Sequence, residues 1–558
     1  MNKLNGNRSG FKVMLGLIGM IKPLLGYMFG AITMGTLGHL VAIFITVLGG
    51  VTLGVVAGFF PSVSLTLIFT LILIFAVLRG ILRYTEQASN HFIAFKLLAS
   101  IRHQIFACLR KLAPAKLDGS EKGNLISIIT SDIELLEVFY AHTISPIAIA
   151  FLTSVIMTVF MGSFHWIMGF IAMFFYLVVG VVIPIINSRS GQKIGRDYRS
   201  LYGKLNTVVL DNLYGLDEIL QYHQMESRHE KMDAFTKQLE TYNETLKKQE
   251  AWQRISTDNV ILVAGVIQVI ASGMLVSNGI LNPGQALICV IALMSSFGPT
   301  AALSALSNNL NQTLASGNRV LDLLKEEPMV TDITERNSVS AGNITVNNVT
   351  FSYENGEKEV LKDYSITFKE NTIHGILGKS GCGKSTLLKL LMRFYESEKG
   401  QLMYGRHTIN EINTSSLREH IAYVTQETFL FQDTIANNIR IAKEDASLEE
   451  VMEAAKKASI HDFIESLPNK YETKLSELGD SVSGGERQRI GLARAFLHGA
   501  RVILLDEPTS NIDSLNEAII LKSLHETKQD KTIILVSHRR STMAIADEVT
   551  DMMEKETA

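Results

Sequence analysis

The segment Gly378–Ser385 has the spacing G-x-x-x-x-G-K-[ST], which predicts a loop that binds the phosphates of a nucleotide. Its three glycines let backbone N–H groups close around phosphate oxygens, and the helix expected from Lys384 points its positive end at them. The Lys384 ammonium adds a cation, and the Ser385 hydroxyl is suited to bind Mg²⁺. We expect the whole loop and its flank to contact the nucleotide, through Gly378, Lys379, Ser380, Gly381, Cys382, Gly383, Lys384, Ser385 and Thr386.

Two carboxylates and a histidine follow apolar runs further along the chain. The run Val502–Leu505 ends in Asp506 and Glu507, and the run Thr532–Val536 is followed closely by His538. Asp506 would end a buried strand, where a carboxylate can orient Mg²⁺ or its bound water. The alternative is a capped strand end for the carboxylates and a structural role for the histidine.

The composition places most of the first 320 residues in a membrane. The chain has 558 residues, 47% of them hydrophobic, and a net charge of −3 that gives no basic field for nucleic acid. Residues 23–78, 138–188 and 259–318 contain no Asp, Glu, Lys or Arg. Because one membrane-spanning helix needs roughly 20 apolar residues, each window holds about two spans and a turn. The pattern predicts six transmembrane helices in three hairpins.

The distribution of basic residues predicts the orientation of these helices. The three turns, at 58–62, 161–165 and 277–284, carry no Lys or Arg, whereas residues 79–137 and 189–258 are rich in both. Positive charge stays on the cytoplasmic side. Both termini and the long loops are therefore expected in the cytoplasm. The apolar stretch Val13–Ile21 is expected to form an amphipathic helix at the membrane surface.

Changes in composition divide the chain into three parts. We expect a transmembrane domain with cytoplasmic helical extensions at 1–325, a linker at 326–342 and a nucleotide-binding domain at 343–558. The cytoplasmic stretches 88–112 and 216–253 have helical periodicity. The alternation from Ile344 to Tyr353 predicts the first strand. The fold class is a membrane α-helical domain joined to a cytoplasmic α/β P-loop nucleotide-binding domain.

A fourth motif, Ser483-Gly484-Gly485-Glu486, follows the phosphate loop by about a hundred residues. Together with the phosphate loop, Asp506-Glu507 and His538, this motif resembles those of the ATP-binding cassette (ABC) proteins. The membrane part of the chain resembles that of ABC exporters. The resemblance implies ATP and Mg²⁺ as cofactors and Glu507 as general base. It also implies His538 at the γ-phosphate, Gln426 at Mg²⁺ and Tyr353 stacked on adenine. The predicted metal ligands are Ser385, Gln426 and Asp506.

The family works as two halves, so the resemblance implies a second, homologous half-transporter chain. Family cassettes pair head to tail, and Ser483, Gly484, Gly485 and Glu486 would contact ATP held by the partner's phosphate loop. Val482 and Glu486 stand where the family often has Leu and Gln. This departure would impair the partner's site and leads us to expect a heterodimer. We expect the transporter to lie in a bacterial inner membrane.

The membrane half also resembles CydC-type chains of the heterodimeric CydDC transporters. The likeness rests on Arg83–Gln87 with His91 and Phe95, and on the segments 112–115, 131–136 and 215–220. It implies a CydD-like partner and a thiol (cysteine or glutathione) or haem-type cargo linked to cytochrome bd assembly. His91 is then a candidate haem ligand, with Arg83 for a propionate. His39, inside a predicted span, is a candidate cargo contact.

Other functions fit the same motifs. Within transport they are export of a peptide, lipid or drug, or import of a siderophore. Outside transport they are a gated channel or a regulatory ATPase on the same fold. For His91, the alternative is a helix-surface histidine near the membrane boundary.

Overall fold

A computed structural model describes residues 10–116, 122–335, 338–339, 341–353, 359–476, 482–510 and 512–552. Three positions of the expected linker, 336, 337 and 340, lie outside this set, as do residues at both termini. Contacts divide the chain into two units. One comprises Leu4–Cys108 and Glu121–Glu326, and the other comprises Glu327–Ala558 together with two short segments, Met1–Lys3 and Leu109–Ser120.

The first unit is helical. Within the described residues, six helices are long and apolar enough to cross a membrane, as the charge-free windows predict. These helices cover Lys22–Val56, Leu65–Leu112, Asn124–Phe164, Trp166–Ile186, Met225–Ser277 and Pro283–Leu303. The predicted turns separate the members of each hairpin. The last turn ends in a capping box, in which Asn282 accepts from Gly284 N–H and Gln285 accepts from Asn282 N–H.

The helices of the first unit are α1 to α12, in chain order. Their bounds are Gly10–Gly19, Leu25–Val56, Leu65–Leu112, Lys122–Ser127, Ile133–Phe139, Ser145–Phe164, Trp166–Leu177, Ile183–Tyr214, Leu216–Gln221, Met225–Ser277, Pro283–Ser296 and Gly298–Leu324. Single π-turns at Ile128–Asp132, Tyr140–Ile144 and Val178–Val182 join α4 to α5, α5 to α6 and α7 to α8. Hydrophobic periodicity does not predict such insertions.

One detail of this unit differs from the expectation. The stretch 216–253 is not one helix, because it is interrupted after α9, where His223 adopts a positive φ of 54°. Helix α1 has its predicted apolar face, and that face packs on α12. Leu17 is fully buried, and the Cβ that Gly317 lacks would lie 2.8 Å from the Leu17 side chain.

The second unit is an α/β domain with two sheets. Strands β1 (Ile344–Phe351), β2 (Leu361–Phe368), β4 (Lys399–Tyr404) and β5 (His407–Thr408) form an antiparallel sheet in the order β2-β1-β4-β5. The other sheet is parallel, in the order β6-β7-β8-β3-β9. Its strands are β3 (Ile373–Leu377), β6 (Ile421–Val424), β7 (Val502–Asp506), β8 (Thr532–Ser537) and β9 (Glu548–Asp551).

The parallel sheet has the continuous apolar strands expected when both faces are covered. Every residue of β7 and of β8 is buried. Two helices matter for the site: α13 (Lys384–Leu391) follows β3, and α18 (Gly484–His498) precedes β7. Between them in sequence lie α14 (Thr414–His420), α15 (Ile435–Arg440), α16 (Leu448–Lys457) and α17 (His461–Ser466), and α19 (Ser514–Glu526) follows β7.

Candidate nucleotide site

The phosphate loop connects β3 to α13, as its sequence predicts. At Gly383, which precedes α13, φ is +97°, and an added Cβ would lie 3.0 Å from the carbonyl oxygen of Val360. Only glycine combines this backbone conformation with so close an approach. The Lys384 ammonium donates to the carbonyls of Gly378 (2.9 Å) and Lys379 (2.8 Å), which holds its charge over the loop.

A cavity of about 970 Å³ opens over this loop. Twelve of the residues predicted from the sequence line it: Tyr353, Gly378, Lys379, Ser380, Gly381, Gly383, Lys384, Ser385, Thr386, Gln426, Glu507 and His538. Cys382 and Asp506 do not line it, although both lie beside it. The Cys382 sulfur is 3.9 Å from the Lys384 ammonium, and Asp506 contacts Ser385.

Two of the three predicted metal ligands, Ser385 and Asp506, are in direct contact. The Ser385 hydroxyl donates to one carboxylate oxygen of Asp506 at 3.0 Å, and the Tyr423 hydroxyl donates to the other at 3.2 Å. Burial raises the pKa of the Asp506 carboxyl above its ordinary value, while these two hydrogen bonds oppose the shift. A hydroxyl and a carboxylate are the oxygen ligands that Mg²⁺ prefers, so the donor set fits this ion.

Glu507 lies between Gln426 and His538, which were also predicted for this site. One carboxylate oxygen is 3.1 Å from Nδ1 of His538, and the other accepts from the Gln426 amide at 3.4 Å. Because β7 and β8 are adjacent and parallel, the residues that follow them meet at one edge of the sheet. The arrangement can hold a water near a carboxylate that is able to accept its proton.

Tyr353 also lines the cavity. Its hydroxyl shares a hydrogen bond with Thr386 Oγ1 at 3.0 Å, and its ring packs against Phe351 and Tyr395 at centroid distances of 5.0 and 5.2 Å. These contacts leave Tyr353 as one wall of the cavity, where the adenine contact was expected.

The signature residues lie apart from the phosphate loop of their own chain. Ser483 caps α18 by accepting from Glu486 N–H, and Glu486 accepts from Ser483 N–H, which forms a capping box. Among the described residues, none of the four signature positions Ser483, Gly484, Gly485 and Glu486 lines the 970 Å³ cavity.

Several residues near the site were missed from the sequence. Val360, Leu377, Arg540 and Asp551 line the cavity, Tyr423 contacts Asp506, and the Gln488 amide donates to the Glu507 carbonyl at 2.6 Å. Two of them could have been suspected from the sequence, because Arg540 lies two positions after His538 and Gln488 lies two positions after the signature. The others depend on strand register, which short motifs do not specify.

The predicted cargo residues lie on α2 and α3 of the membrane unit. The Arg83 guanidinium donates to Glu86 at 2.6 Å, and Glu86 is almost completely buried. The Nδ1 atom of His91 lies 3.7 Å from a Glu137 carboxylate oxygen, and its ring lies 5.5 Å from that of His142. His39 follows Gly38, which packs against Leu82 and the Arg83 backbone. Within the described residues, no group of three or more His, Cys, Asp or Glu side chains is arranged to hold a metal ion.

Comparisons with known proteins agree with this two-part architecture. Residues 28–298 match the family described as the ABC transporter transmembrane region, and residues 361–510 match the family described as ABC transporter. A Haemophilus influenzae protein called "Probable ABC transporter ATP-binding/permease protein" is 51% identical over 97% of this chain and 98% of its own length. The ATP-dependent lipid A-core flippase of Desulfotalea psychrophila is 30% identical over 84% of this chain and 82% of its own length.

A solved structure has the same fold. It is a bacterial Atm1-family ABC exporter with ATP bound, and it matches with a TM-score of 0.80 at 21% identity, over 95% of this chain and 93% of the other. The phosphate loop, the carboxylates at the end of β7 and the six apolar helices thus occur together in one chain, and the Haemophilus influenzae relative matches this chain over almost its whole length. This chain belongs to the ABC transporter family: it has the fold of an exporter-type half-transporter, and its ATPase is coupled to transport across a membrane.

Proposed function

We propose that the chain is one half of a dimeric ABC exporter in which Glu507 activates the water that hydrolyses ATP. The observation that carries the proposal is the position of the Glu507 carboxylate, between Gln426 and His538 at the cavity over the phosphate loop. Backbone N–H groups of the loop and the Lys384 ammonium bind the phosphates. Ser385, Asp506 and Gln426 would hold Mg²⁺, which would supply positive charge to the phosphates when bound.

The separation of the signature from the phosphate loop supports a dimer. Ser483 to Glu486 line no part of the cavity within the described residues, so a second chain is needed to bring a signature to this ATP. We propose a heterodimer, because Val482 and Glu486 depart from the usual signature. The CydC-type resemblance makes a CydD-like chain the first partner to test. A homodimer of this chain with full transport activity would contradict the heterodimer.

A lipid-like or drug-like amphiphile is the first cargo candidate. A relative of nearly the same length is called a lipid A-core flippase, and its likeness to this chain covers most of both sequences. Inside-out vesicles with the assembled transporter should move a dye-labelled phospholipid against its gradient when ATP is supplied. A Glu507→Gln transporter should not. ATP-independent equilibration of the probe would favour a gated channel instead, and peptide and siderophore transport are tested in the same vesicles.

A haem-type or thiol cargo is the second candidate, and the surroundings of His91 favour it. His91 has a half-exposed imidazole, stacked on Phe95 at 5.9 Å and close to His142, at the cytoplasmic end of the second span. A neutral imidazole binds haem iron. In this structure Arg83 pairs with Glu86, so a propionate would have to replace that carboxylate.

Haem titration distinguishes a haem ligand from a helix-surface histidine with no part in cargo binding. His91→Ala in the assembled transporter should abolish the Soret shift and the haem-stimulated ATPase, with basal ATPase unchanged. His103→Ala, an exposed histidine on the same helix, is the matched control and should behave like wild type. If haem causes no shift in wild type, the hypothesis of a thiol cargo is tested by measuring whether glutathione or cysteine stimulates the ATPase activity.

We also propose that the charge-free turns face the outside of a bacterial inner membrane, with both termini and the cassette in the cytoplasm. Single cysteines at Ser163 and Asn282 should react with an impermeant thiol reagent in intact cells. A cysteine at Ser447, the cap of α16 in the cassette, should react only after lysis. The opposite pattern would reverse the orientation.

A further inference from the structure

Gln488 on α18 contacts the backbone of Glu507 directly. Its side-chain Nε2 donates to the Glu507 carbonyl oxygen at 2.6 Å, and Gln488 is 2% exposed. The helix that carries Gln488 begins at the signature, where Ser483 is its N-cap. One hydrogen bond therefore connects the signature helix to the residue that we assign as general base in the same cassette.

The backbone of Glu507 needs support of this kind. Its φ of +50° lies in the left-handed region, which residues other than glycine rarely adopt. The Glu507 N–H donates to the Val536 carbonyl at 2.9 Å, and its own carbonyl accepts from Ser510 N–H at 3.2 Å as well as from Gln488. Such a conformation persists when surrounding contacts over-determine it, and it directs the carboxylate towards His538.

The other half of the Gln488 amide is inconsistent with a role in packing alone. Its Oε1 is buried and has no hydrogen-bond partner among the described residues. Leaving a buried acceptor unpaired is unfavourable, and a methionine would occupy similar volume without this loss. The amide is useful at this position for its donor, and the donor is directed at Glu507.

We propose that Gln488 is a positioning residue that couples the signature helix to the general base. When the signature binds ATP on the partner chain, α18 is held in place, and Gln488 holds the Glu507 carbonyl and hence the carboxylate. Each cassette then hydrolyses its own ATP fastest when its signature is engaged with the other ATP. This inference rests on the proposed function, since it assumes that Glu507 is the base.

Gln488→Met in the assembled transporter removes the donor and keeps the length of the side chain. We expect kcat for ATP hydrolysis to fall at least tenfold and KM for ATP to stay within about twofold. The dependence of the ATPase rate on ATP concentration should also become less cooperative. Arg489→Met is the matched control. Arg489 is the next residue of α18, and it donates to the Ser459 carbonyl (3.0 Å) and Asn516 (2.9 Å) rather than to Glu507. Its loss should lower thermal stability and leave kcat per folded molecule unchanged.

A double variant distinguishes positioning from general damage. In a Glu507→Gln background, adding Gln488→Met should cause no further loss of hydrolysis, because the base that Gln488 positions is already gone. A further tenfold loss, or an unchanged kcat for Gln488→Met alone, would overturn the coupling. A Glu507→Gln transporter that hydrolyses ATP at the wild-type rate would instead overturn the proposed function, which keeps the two failures apart.

Discussion

The Glu507 carboxylate lies 3.1 Å from Nδ1 of His538, although the two residues are 31 positions apart in sequence. They come together because β7 and β8 are neighbours in a parallel sheet, in which Asp506 pairs with Val536. Each residue follows the last positions of its strand, where the carboxyl ends of open α/β sheets bind ligands. Gln426, which follows β6 on the other side of β7, donates to the second carboxylate oxygen at 3.4 Å.

Replacing Glu507 by glutamine should separate hydrolysis from ATP binding. Glutamine keeps the size of the side chain but cannot accept the proton of the attacking water, and loss of a general base typically costs about 10²–10⁴-fold in rate. ATP affinity should stay close to wild type, because the phosphate loop is untouched. Lys384→Ala is the contrasting variant and should weaken ATP binding itself. Steady-state ATPase rates and nucleotide binding to the assembled transporter check both expectations.

The buried carboxyl of Asp506 should make Mg²⁺ binding unusually sensitive to acid. Because burial raises its pKa, a proton competes with Mg²⁺ for Asp506 at a higher pH than at an ordinary aspartate. Apparent Mg²⁺ affinity should therefore fall as the pH decreases towards this raised pKa. In Tyr423→Phe, which loses the 3.2 Å hydrogen bond to the carboxylate, the fall should begin at still higher pH.

Titrations of Mg²⁺ against ATP binding, repeated between about pH 5 and 8, measure this shift. Tyr404→Phe, which removes a buried hydroxyl in β4 of the antiparallel sheet, is the control and should titrate like wild type. If Tyr423→Phe and wild type lose Mg²⁺ at the same pH, the Tyr423 hydrogen bond does not tune Asp506.

The sequence predicts most of the nucleotide site because its parts are contiguous. Residues 378–386 form the phosphate loop and the first residues of α13, and Asp506 and Glu507 stand at the end of one apolar strand, so local spacing specifies their relative positions. The contacts of Tyr423 and Gln488 could not be predicted in this way. Each joins elements that are distant in sequence, and their geometry depends on strand order and on how α18 packs.

The membrane half was predictable to a different extent. Charge-free windows gave the number of spans and the hairpin turns, because a charge within a bilayer is costly. They did not indicate the π-turns or the interruption between α9 and α10, because a change in backbone geometry within a helical stretch does not alter the pattern of charges. The environment of His91 was also missed, since Glu137 and His142 come from the third span.

Two glycines with positive φ provide a matched pair for cassette stability. Gly400 in β4 has φ +80°, and an added Cβ would collide with the backbone carbonyls of Asn347 and Asn348. Gly499, after α18, has φ +74° with open space around it. Gly499→Ala should cost about 1 kcal/mol from conformation alone. Gly400→Ala adds the collision and should cost on the order of 3 kcal/mol. Thermal unfolding of the two variants measures the difference, and equal costs would show that β4 moves to accommodate the methyl group.

Asp132 and Arg319 form an ion pair in the membrane unit whose two members are very unequally exposed. Asp132, at the end of the first π-turn, has a side chain 2% exposed, whereas the Arg319 side chain on α12 is 48% exposed. Ser316, one turn earlier on α12, also donates to the Asp132 carboxylate at 3.0 Å. The second Asp132 oxygen is buried without a partner among the described residues.

This inequality predicts an asymmetric response to mutation. Arg319→Met leaves a buried carboxylate without its countercharge, and such a loss typically costs about 3–5 kcal/mol. Asp132→Leu leaves an arginine that water can solvate and a buried Ser316 hydroxyl without its acceptor, so its cost should be about 1–2 kcal/mol, less than that of Arg319→Met. The double variant should recover most of the stability lost in Arg319→Met, because the buried charge is then absent. Thermal unfolding in lipid nanodiscs ranks the three variants. If Asp132→Leu is as damaging as Arg319→Met, the carboxylate is needed for more than its pairing with Arg319.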